Sequence, residues 1–306
     1  MTEIKPEIQE VIGVDLGGTA IKLGRFLVDG TSLDSITLDT PQPSTPEAVL
    51  ETIVTGINNL LAGQPQIGRS IGVGIPGPVD ISGKIARVAI NLSGWHDVPL
   101  GPWLEAKTGY LTVLGNDANC AGLGEAWLGA AKSFQDSLLL TLGTGVGGAI
   151  VLGGKLFLGH QAAAAELGLI TLFPEGHPCN SGNRGSMEQY LSIGAIKRAT
   201  GLEPIVLGEM AKAGDQKALE FWAEYGRYLG IGLTTLIYIF TPEAIVLGGG
   251  IAASIEFFLP AAEAEIEERV LPSSRAGLQI LPAELGNQAG MIGAAKLAWS
   301  LPSLVK

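Results

Sequence analysis

Short apolar runs punctuated by glycine mark out the strands of this chain. Val11 to Asp15 is one such run, turned by Gly17-Gly18, and Ala20 to Val28 runs back from that turn to Asp29-Gly30, a pair favoured in hairpins. The period then changes from 2 to 3.6: Val49, Leu50, Ile53, Ile57, Leu60 and Leu61 share one helical face. Thr45-Pro46-Glu47 gives that helix a cap, a first-turn proline and an early acid, and Gly63 stops it. Ser70 to Ile75 and Leu111 to Leu114 predict two more strands, the second ending just before Asn116-Asp117, and Ala118 to Ala131 reads as a helix. Leu138 to Leu142 opens a second round: strand, glycine turn (Gly143 to Gly148), returning strand (Ala149 to Leu152), Gly153-Gly154, and a third strand (Lys155 to Leu158).

Two copies of one β-rich unit predict an α/β fold with a duplicated core and a cleft between its halves. Farther on, Gln216 to Phe240 predicts a long buried helix softly broken by its glycines and ended by Pro242. Ala244 to Leu247 is a buried strand running into Gly248-Gly249-Gly250, and Leu278 to Pro282 is the last strand. Ala289 to Trp299 is a closing helix that returns to the first half, so the expected lobes are 1–117 plus 289–306 (smaller) and 118–288 (larger).

Composition narrows the classes. Hydrophobic residues at 46% supply a core, and 44 glycines without a period point to many tight turns rather than to a linker. A net charge of −11 with no run of Lys or Arg argues against nucleic acid as a partner. Cys120 and Cys179 make no disulfide framework, which fits a reducing compartment. No signal-peptide pattern opens the chain, and Leu229 to Phe240 is too short and interrupted to span a bilayer. The expectation is a soluble, cytoplasmic protein with no membrane partner.

The candidate chemistry sits where strands end. In Asp15-Leu16-Gly17-Gly18-Thr19, the glycines let backbone N–H groups approach phosphate oxygens, Thr19 adds a hydroxyl, and Asp15 could hold Mg²⁺ through water. The plainer reading is a hairpin with a buried acid. Gly143-Thr144-Gly145-Val146-Gly147-Gly148 makes the same case for a second phosphate loop. No Gly-x-x-x-x-Gly-Lys-Ser/Thr loop is present. Gly72-x-Gly74-x-x-Gly77 matches a dinucleotide fingerprint, but Pro76 and Pro78 flank its last glycine and no helix follows, so it reads as a backbone wall beside a substrate. Asp117 is placed to orient a sugar hydroxyl and take its proton, or else to cap the helix behind it. Glu166 and Glu188 are isolated acids that could accept bonds from vicinal diols, or serve as caps or surface acids.

These residues, in this order, resemble the ROK family of repressors and sugar kinases, in its glucokinase branch. The match runs from Asp15-Leu16-Gly17-Gly18-Thr19 through Ile75 to Val79, Asn91 to Trp95, Asn116 to Asn119, Leu142 to Gly148 and Gly248 to Gly250, to the closing Gly290 to Ala295. The resemblance implies the ribonuclease-H-like, actin-like ATPase fold, with two lobes. It implies ATP and Mg²⁺ as cofactors and phosphorylation of a hexose, glucose first, with Asp117 as general base. Asp15, Gly17, Gly18 and Thr19 with Gly143, Thr144, Gly145 and Gly147 would hold the triphosphate. Gly248, Gly249 and Gly250 would lie near adenosine. Asn91, Asn116, Glu166, Glu188 and the backbone at Gly77 would contact the sugar. A homodimer is the family expectation.

One departure stands out. The family's structural zinc is held by a His in Glu-x-Gly-His and three Cys in Cys-x-Cys-Gly-x-x-Gly-Cys-x-Glu. Here those positions are Leu169, Cys179, Ser181 and Ser186, and a tetrahedral N/S site does not survive the loss. Zinc is not expected; neither His160 nor His177 rebuilds the set. Leu169 offers a sugar only apolar contact where the family has an imidazole. Two alternatives remain beside the ATP-dependent glucokinase: a polyphosphate-dependent glucokinase, and a non-catalytic sugar-binding regulator. Against the regulator, only about ten residues precede the first strand, and Asp117 and both glycine loops are kept.

Overall fold

The computed structural model describes residues 8–65, 67–89, 91–299 and 301. In chain order the strands are β1 (Ile8–Leu16), β2 (Ala20–Phe26), β3 (Ser32–Asp39), β4 (Gly68–Ile75), β5 (Ala86–Val88), β6 (His96–Val98), β7 (Leu111–Asn116), β8 (Ser137–Leu142), β9 (Val146–Leu152), β10 (Lys155–Leu156), β11 (Ala244–Gly248) and β12 (Gln279–Pro282). The α-helices are α1 (Pro46–Leu61), α2 (Leu100–Thr108), α3 (Asp117–Leu128), α4 (Glu188–Leu191), α5 (Ile193–Thr200), α6 (Pro204–Lys212), α7 (Gln216–Phe240), α8 (Ile255–Arg269) and α9 (Ala289–Trp299).

Two compact units emerge: Met1–Lys132 with Lys155–Ala164 and Asn287–Lys306, and Ser133–Gly154 with Ala165–Gly286. The first border falls after Lys132 rather than at Asp117/Ala118. The reason is that α3 packs tightly along α9: a Cβ on Gly293 would lie 1.6 Å from the Cys120 carbonyl oxygen, so glycine is what lets the helices touch. The ends of the expected smaller lobe, 1–7 and 302–306, lie outside the described residues.

In the first unit the sheet order is β3-β2-β1-β4-β7. β2 runs antiparallel to β1 and β3, whereas β4 and β7 run parallel to β1. One face is covered by α1, whose Val49, Ile53 and Ile57 are buried against Val14, Leu23 and Val73. Full burial of each such side chain is worth about 1.5–3 kcal/mol. Thr45 Oγ1 accepts from the Ala48 N–H to start α1, and Pro46 takes its first position. The other face is closed by α9. Gly13 of β1 and Gly72 of β4 are cross-strand partners, and a Cβ on them would stand 2.1 Å from the Met291 oxygen and 1.8 Å from the Ala294 oxygen. Because three parallel strands end on one edge, Asp15, Ile75 and Asn116 arrive together at their carboxyl ends.

In the second unit β9, β8, β11 and β12 lie side by side. β9 is antiparallel to β8, and β11 and β12 follow in parallel. This repeats the hairpin and two parallel strands of β2, β1, β4 and β7. The predicted third strand shortens to Lys155–Leu156. α7 is one uninterrupted helix: its glycines do not break it but admit α8, since a Cβ on Gly226 would sit 2.0 Å from the Phe258 oxygen. It stops at Thr241, held at φ 41° with its N–H on the Ile237 oxygen, one residue before Pro242. Among the described residues no helix is long and apolar enough to cross a membrane.

Candidate active site

In the first unit, the end of β1 and the start of α3 make an acidic centre. Asn116, not Asp117, caps α3: its Oδ1 accepts from the Asn119 N–H at 3.1 Å. Asp117 is thereby the first helical residue. Its Oδ1 accepts from the Ala118 N–H at 2.8 Å and from Asn116 Nδ2 at 3.0 Å. The same Asn116 amide donates to the Gly77 oxygen at 3.3 Å, so it links Asp117 to the wall formed after β4. At Gly77, φ is 143° and a Cβ would lie 2.0 Å from the Val88 oxygen, which requires glycine. Burial raises the Asp117 carboxyl above the ordinary range, and the nearby negative Asp15 adds to that; the Ala118 and Asn116 bonds oppose it.

Asp15 is salt-bridged to Lys22 Nζ at 3.1 Å. Lys22 was not among the residues singled out from the sequence. The signal was present: seven residues along, across a three-residue turn, it is the hairpin partner of Asp15 and shares its face. Gly17 holds the turn, its N–H on the Ala20 oxygen and its own oxygen accepting from Thr40 Oγ1, while Gly18 and Thr19 are exposed. Asn91 is exposed at the head of the turn before Trp95, whose indole Nε1 donates to the Ser44 oxygen. Among the described residues no hydrogen bond joins Asn91 to Asn116 or Asp117.

The second unit carries the other candidates. Gly143, Thr144 and Gly145 turn β8 into β9, and Gly147 follows within β9. The loop is pinned from two sides. The Ile193 N–H donates to the Gly143 oxygen at 2.8 Å, and the Val146 N–H donates to Glu188 Oε2 at 3.1 Å. Glu188 opens α4 behind the cap residue Met187. Glu166 leads the 3-10 turn Leu167–Leu169 but makes no side-chain cap bond. Its neighbour Ala165 holds φ 68°, a costly conformation for a residue with a Cβ. Desolvation and the negative Glu188 both raise the Glu166 carboxyl, so the two acids are close enough to repel.

The three glycines after β11 differ in kind. A Cβ on Gly249, at φ 85°, would meet the Leu142 oxygen at 2.3 Å and its nitrogen at 2.7 Å. Gly248 is buried at the strand end, and Gly250 faces open space.

The zinc positions do not fit a metal. Leu169 has no donor, and the Cys179 sulfur accepts a hydrogen bond from Ser181 Oγ at 3.3 Å. Among the described residues no group of three or more His, Cys, Asp or Glu is placed to hold an ion.

Comparison with known proteins identifies the family. The ROK family model matches residues 11–300. The glucokinase of Thermotoga maritima is 32% identical, over 94% of this chain and 96% of its own. The ROK hexokinase of Thermus thermophilus superposes with a TM-score of 0.85 at 34% identity, covering 95% of this chain and 98% of that one. A ROK family glucokinase from Streptomyces griseus, solved with glucose and AMPPNP, gives a TM-score of 0.76 at 33% identity, covering 95% and 99%. The repeated sheet units are those of the ribonuclease-H-like, actin-like ATPase fold. With the family model matched over residues 11–300 and a relative 32% identical along nearly the whole length, the chain belongs to the ROK family.

Proposed function

We propose that this protein is a sugar kinase that transfers the γ-phosphoryl group of ATP to a hexose, glucose giving glucose 6-phosphate, with Asp117 as general base. The observation that carries this reading is the Asp117 carboxylate at the carboxyl end of β7. Both of its anchoring bonds fall on Oδ1, which leaves Oδ2 to meet a hydroxyl. The glucokinase names of the relatives and the glucose and AMPPNP in the Streptomyces griseus structure support the substrates.

The residues divide the work. Asp117 orients the sugar hydroxyl and takes its proton as the phosphoryl group arrives, a role worth about 10²–10⁴ in rate. Its raised pKa brings it closer to the proton affinity that such a base needs. The Gly17 and Gly143 N–H groups close their own turns on the Ala20 and Gly145 oxygens, so the backbone N–H groups of Gly18, Thr19, Thr144 and Gly145 are the ones that meet phosphate oxygens, and Gly248 to Gly250 lie along the nucleoside. Lys22 supplies a cation beside Asp15. Mg²⁺ suits the oxygen donors of Asp15 and the phosphates, where it would neutralise charge on the transferring group. Asn116 and the Gly77 backbone, with Glu166 and Glu188, accept or donate to sugar hydroxyls.

A coupled ADP-release assay with Mg-ATP and glucose, mannose, fructose or N-acetylated hexosamines tests this, beside Asp117→Ala. Turnover with glucose that the variant loses is the expected outcome. No turnover with any sugar under ATP sinks the reading, and repeating the panel with polyphosphate tells a different donor from a sensor.

A further inference from the structure

We propose that Asn183 is a positioning residue that clamps together the two segments carrying Glu166 and Glu188, forming a brace made of hydrogen bonds rather than metal. This rests on the reading of those two acids as the sugar's acceptors.

The two segments are separate in sequence and meet at one side chain. Asn183 Nδ2 donates to the Leu169 oxygen at 2.9 Å and to Thr171 Oγ1 at 3.0 Å. Leu169 in turn donates its N–H to the Glu166 oxygen at 3.0 Å, so the amide grips the turn on which Glu166 stands. From Asn183 the chain runs back along the same segment. The Leu172 N–H donates to the Gly185 oxygen and the Met187 N–H to the Ile170 oxygen, both at 2.8 Å. That pairing delivers the next residue, Glu188, against the Val146 N–H. Asn183 also closes its own loop: its oxygen accepts from the Cys179 N–H at 2.8 Å, and its N–H donates to Ser181 Oγ at 3.4 Å.

The amide is suited to this place. Its Oδ1 accepts from the Arg184 N–H at 2.7 Å while its NH₂ points at two acceptors, so donor and acceptor ends are both used. Aspartate keeps the acceptor end and loses the donor end. Phe173, whose N–H donates to the Gly185 oxygen, packs beside the loop with Tyr190 and Tyr228 in edge-to-face and tilted contacts of 4.9–5.5 Å. The donor set around Cys179 holds one thiol and two hydroxyls, which does not suit zinc. The stiffness of this corner comes from Asn183 instead.

The test compares Asn183→Asp and Asn183→Ala with the parent by steady-state kinetics and amide hydrogen exchange. Both variants are expected to raise the KM for glucose about tenfold, the loss of one or two neutral hydrogen bonds, with kcat within about threefold. Exchange is expected to quicken at 166–171 and 183–188 and to stay unchanged in α7. The parent dialysed against a chelator and returned to Mg²⁺ keeps its glucose KM. An unchanged KM with unchanged exchange at both segments overturns the clamp. So does loss of glucose affinity on chelation that zinc restores. If the parent phosphorylates no sugar, the kinase reading fails, and the exchange arm still decides whether Asn183 ties the segments.

Discussion

Glu188 is expected to serve the nucleotide as well as the sugar, and replacing it separates the two roles. Its Oε2 accepts from the Val146 N–H at 3.1 Å at the end of the glycine turn, and Val146 is 5% exposed. Gly145 leaves the carboxylate room to reach that N–H, since a Cβ there would lie 2.6 Å from Oε2. Removing the acceptor strands a buried donor and frees one side of the loop. A hydrogen bond to a charged group is worth about 1.5–3 kcal/mol, or roughly 10- to 150-fold. Glu188 is only half-buried, so the lower end applies: Glu188→Ala should cut kcat/KM for ATP about 10- to 30-fold at saturating glucose. A residue touching only sugar would raise the KM for glucose and leave the ATP parameters alone. Glu188→Gln keeps an oxygen for Val146 but loses the charge, so it should recover most of the ATP term while glucose affinity stays weak. Initial rates against each substrate with the other saturating give both terms. Glu188→Ala with kcat/KM for ATP within about twofold of the parent would refute the link.

Other consequences follow from the same geometry. Asp117→Asn keeps both Oδ1 bonds and loses the base, so kcat should fall at least about 100-fold, measured by ADP release. Since Asp117 acts deprotonated and its pKa is raised by burial and then by Asp15, kcat/KM should fall with decreasing pH on a limb above the ordinary carboxylate value of about 3.9. The same shift means the folded state holds that proton more tightly than the unfolded chain, so stability declines as pH rises from the ordinary value through the raised one. Asp117→Asn should therefore melt no lower than the parent at neutral pH, with the gap closing in acid; a variant that melts well below the parent at pH 7 contradicts this. Gly249→Ala should lose about 3 kcal/mol or more, because its Cβ meets Leu142 backbone at φ 85°, whereas Gly250→Ala should stay within about 0.5 kcal/mol in the same denaturation series. Combining Leu169→His, Ser181→Cys and Ser186→Cys should create zinc content and tighten sugar binding, read by elemental analysis and glucose titration; no change in either removes the account of why these positions matter.

What the sequence conveyed and what it withheld have a common physical cause. Strand ends that carry function are bounded by glycines and acids with few other uses, so Asp15, Asp117 and the turn at Gly143 stood out one by one. Elements whose burial comes from their neighbours did not. β3 is an edge strand with mostly exposed residues, α2 opens on Leu100-Gly101-Pro102, and α8 carries Pro260 within it, so none shows a clean period. The glycines of α7 looked like breaks because the sequence names the missing side chain and not the helix that fills its space. Within the site the same limit applies to pairings. Lys22 is visible once the hairpin register is known, because register alone puts it opposite Asp15. Asn183 has no such local cue: its partners at Leu169 and Thr171 are 14 and 12 residues away, through a loop with no period. The missing cysteines therefore read only as a lost zinc site, while the amide proposed to tie the same loop stayed out of view. If that tie holds, the loop's demand is for a cross-link of fixed length between Leu169 and residue 183, and not for a metal. Moving the amide one carbon outward, as Asn183→Gln, should then fail to replace it, with a glucose KM close to that of Asn183→Ala.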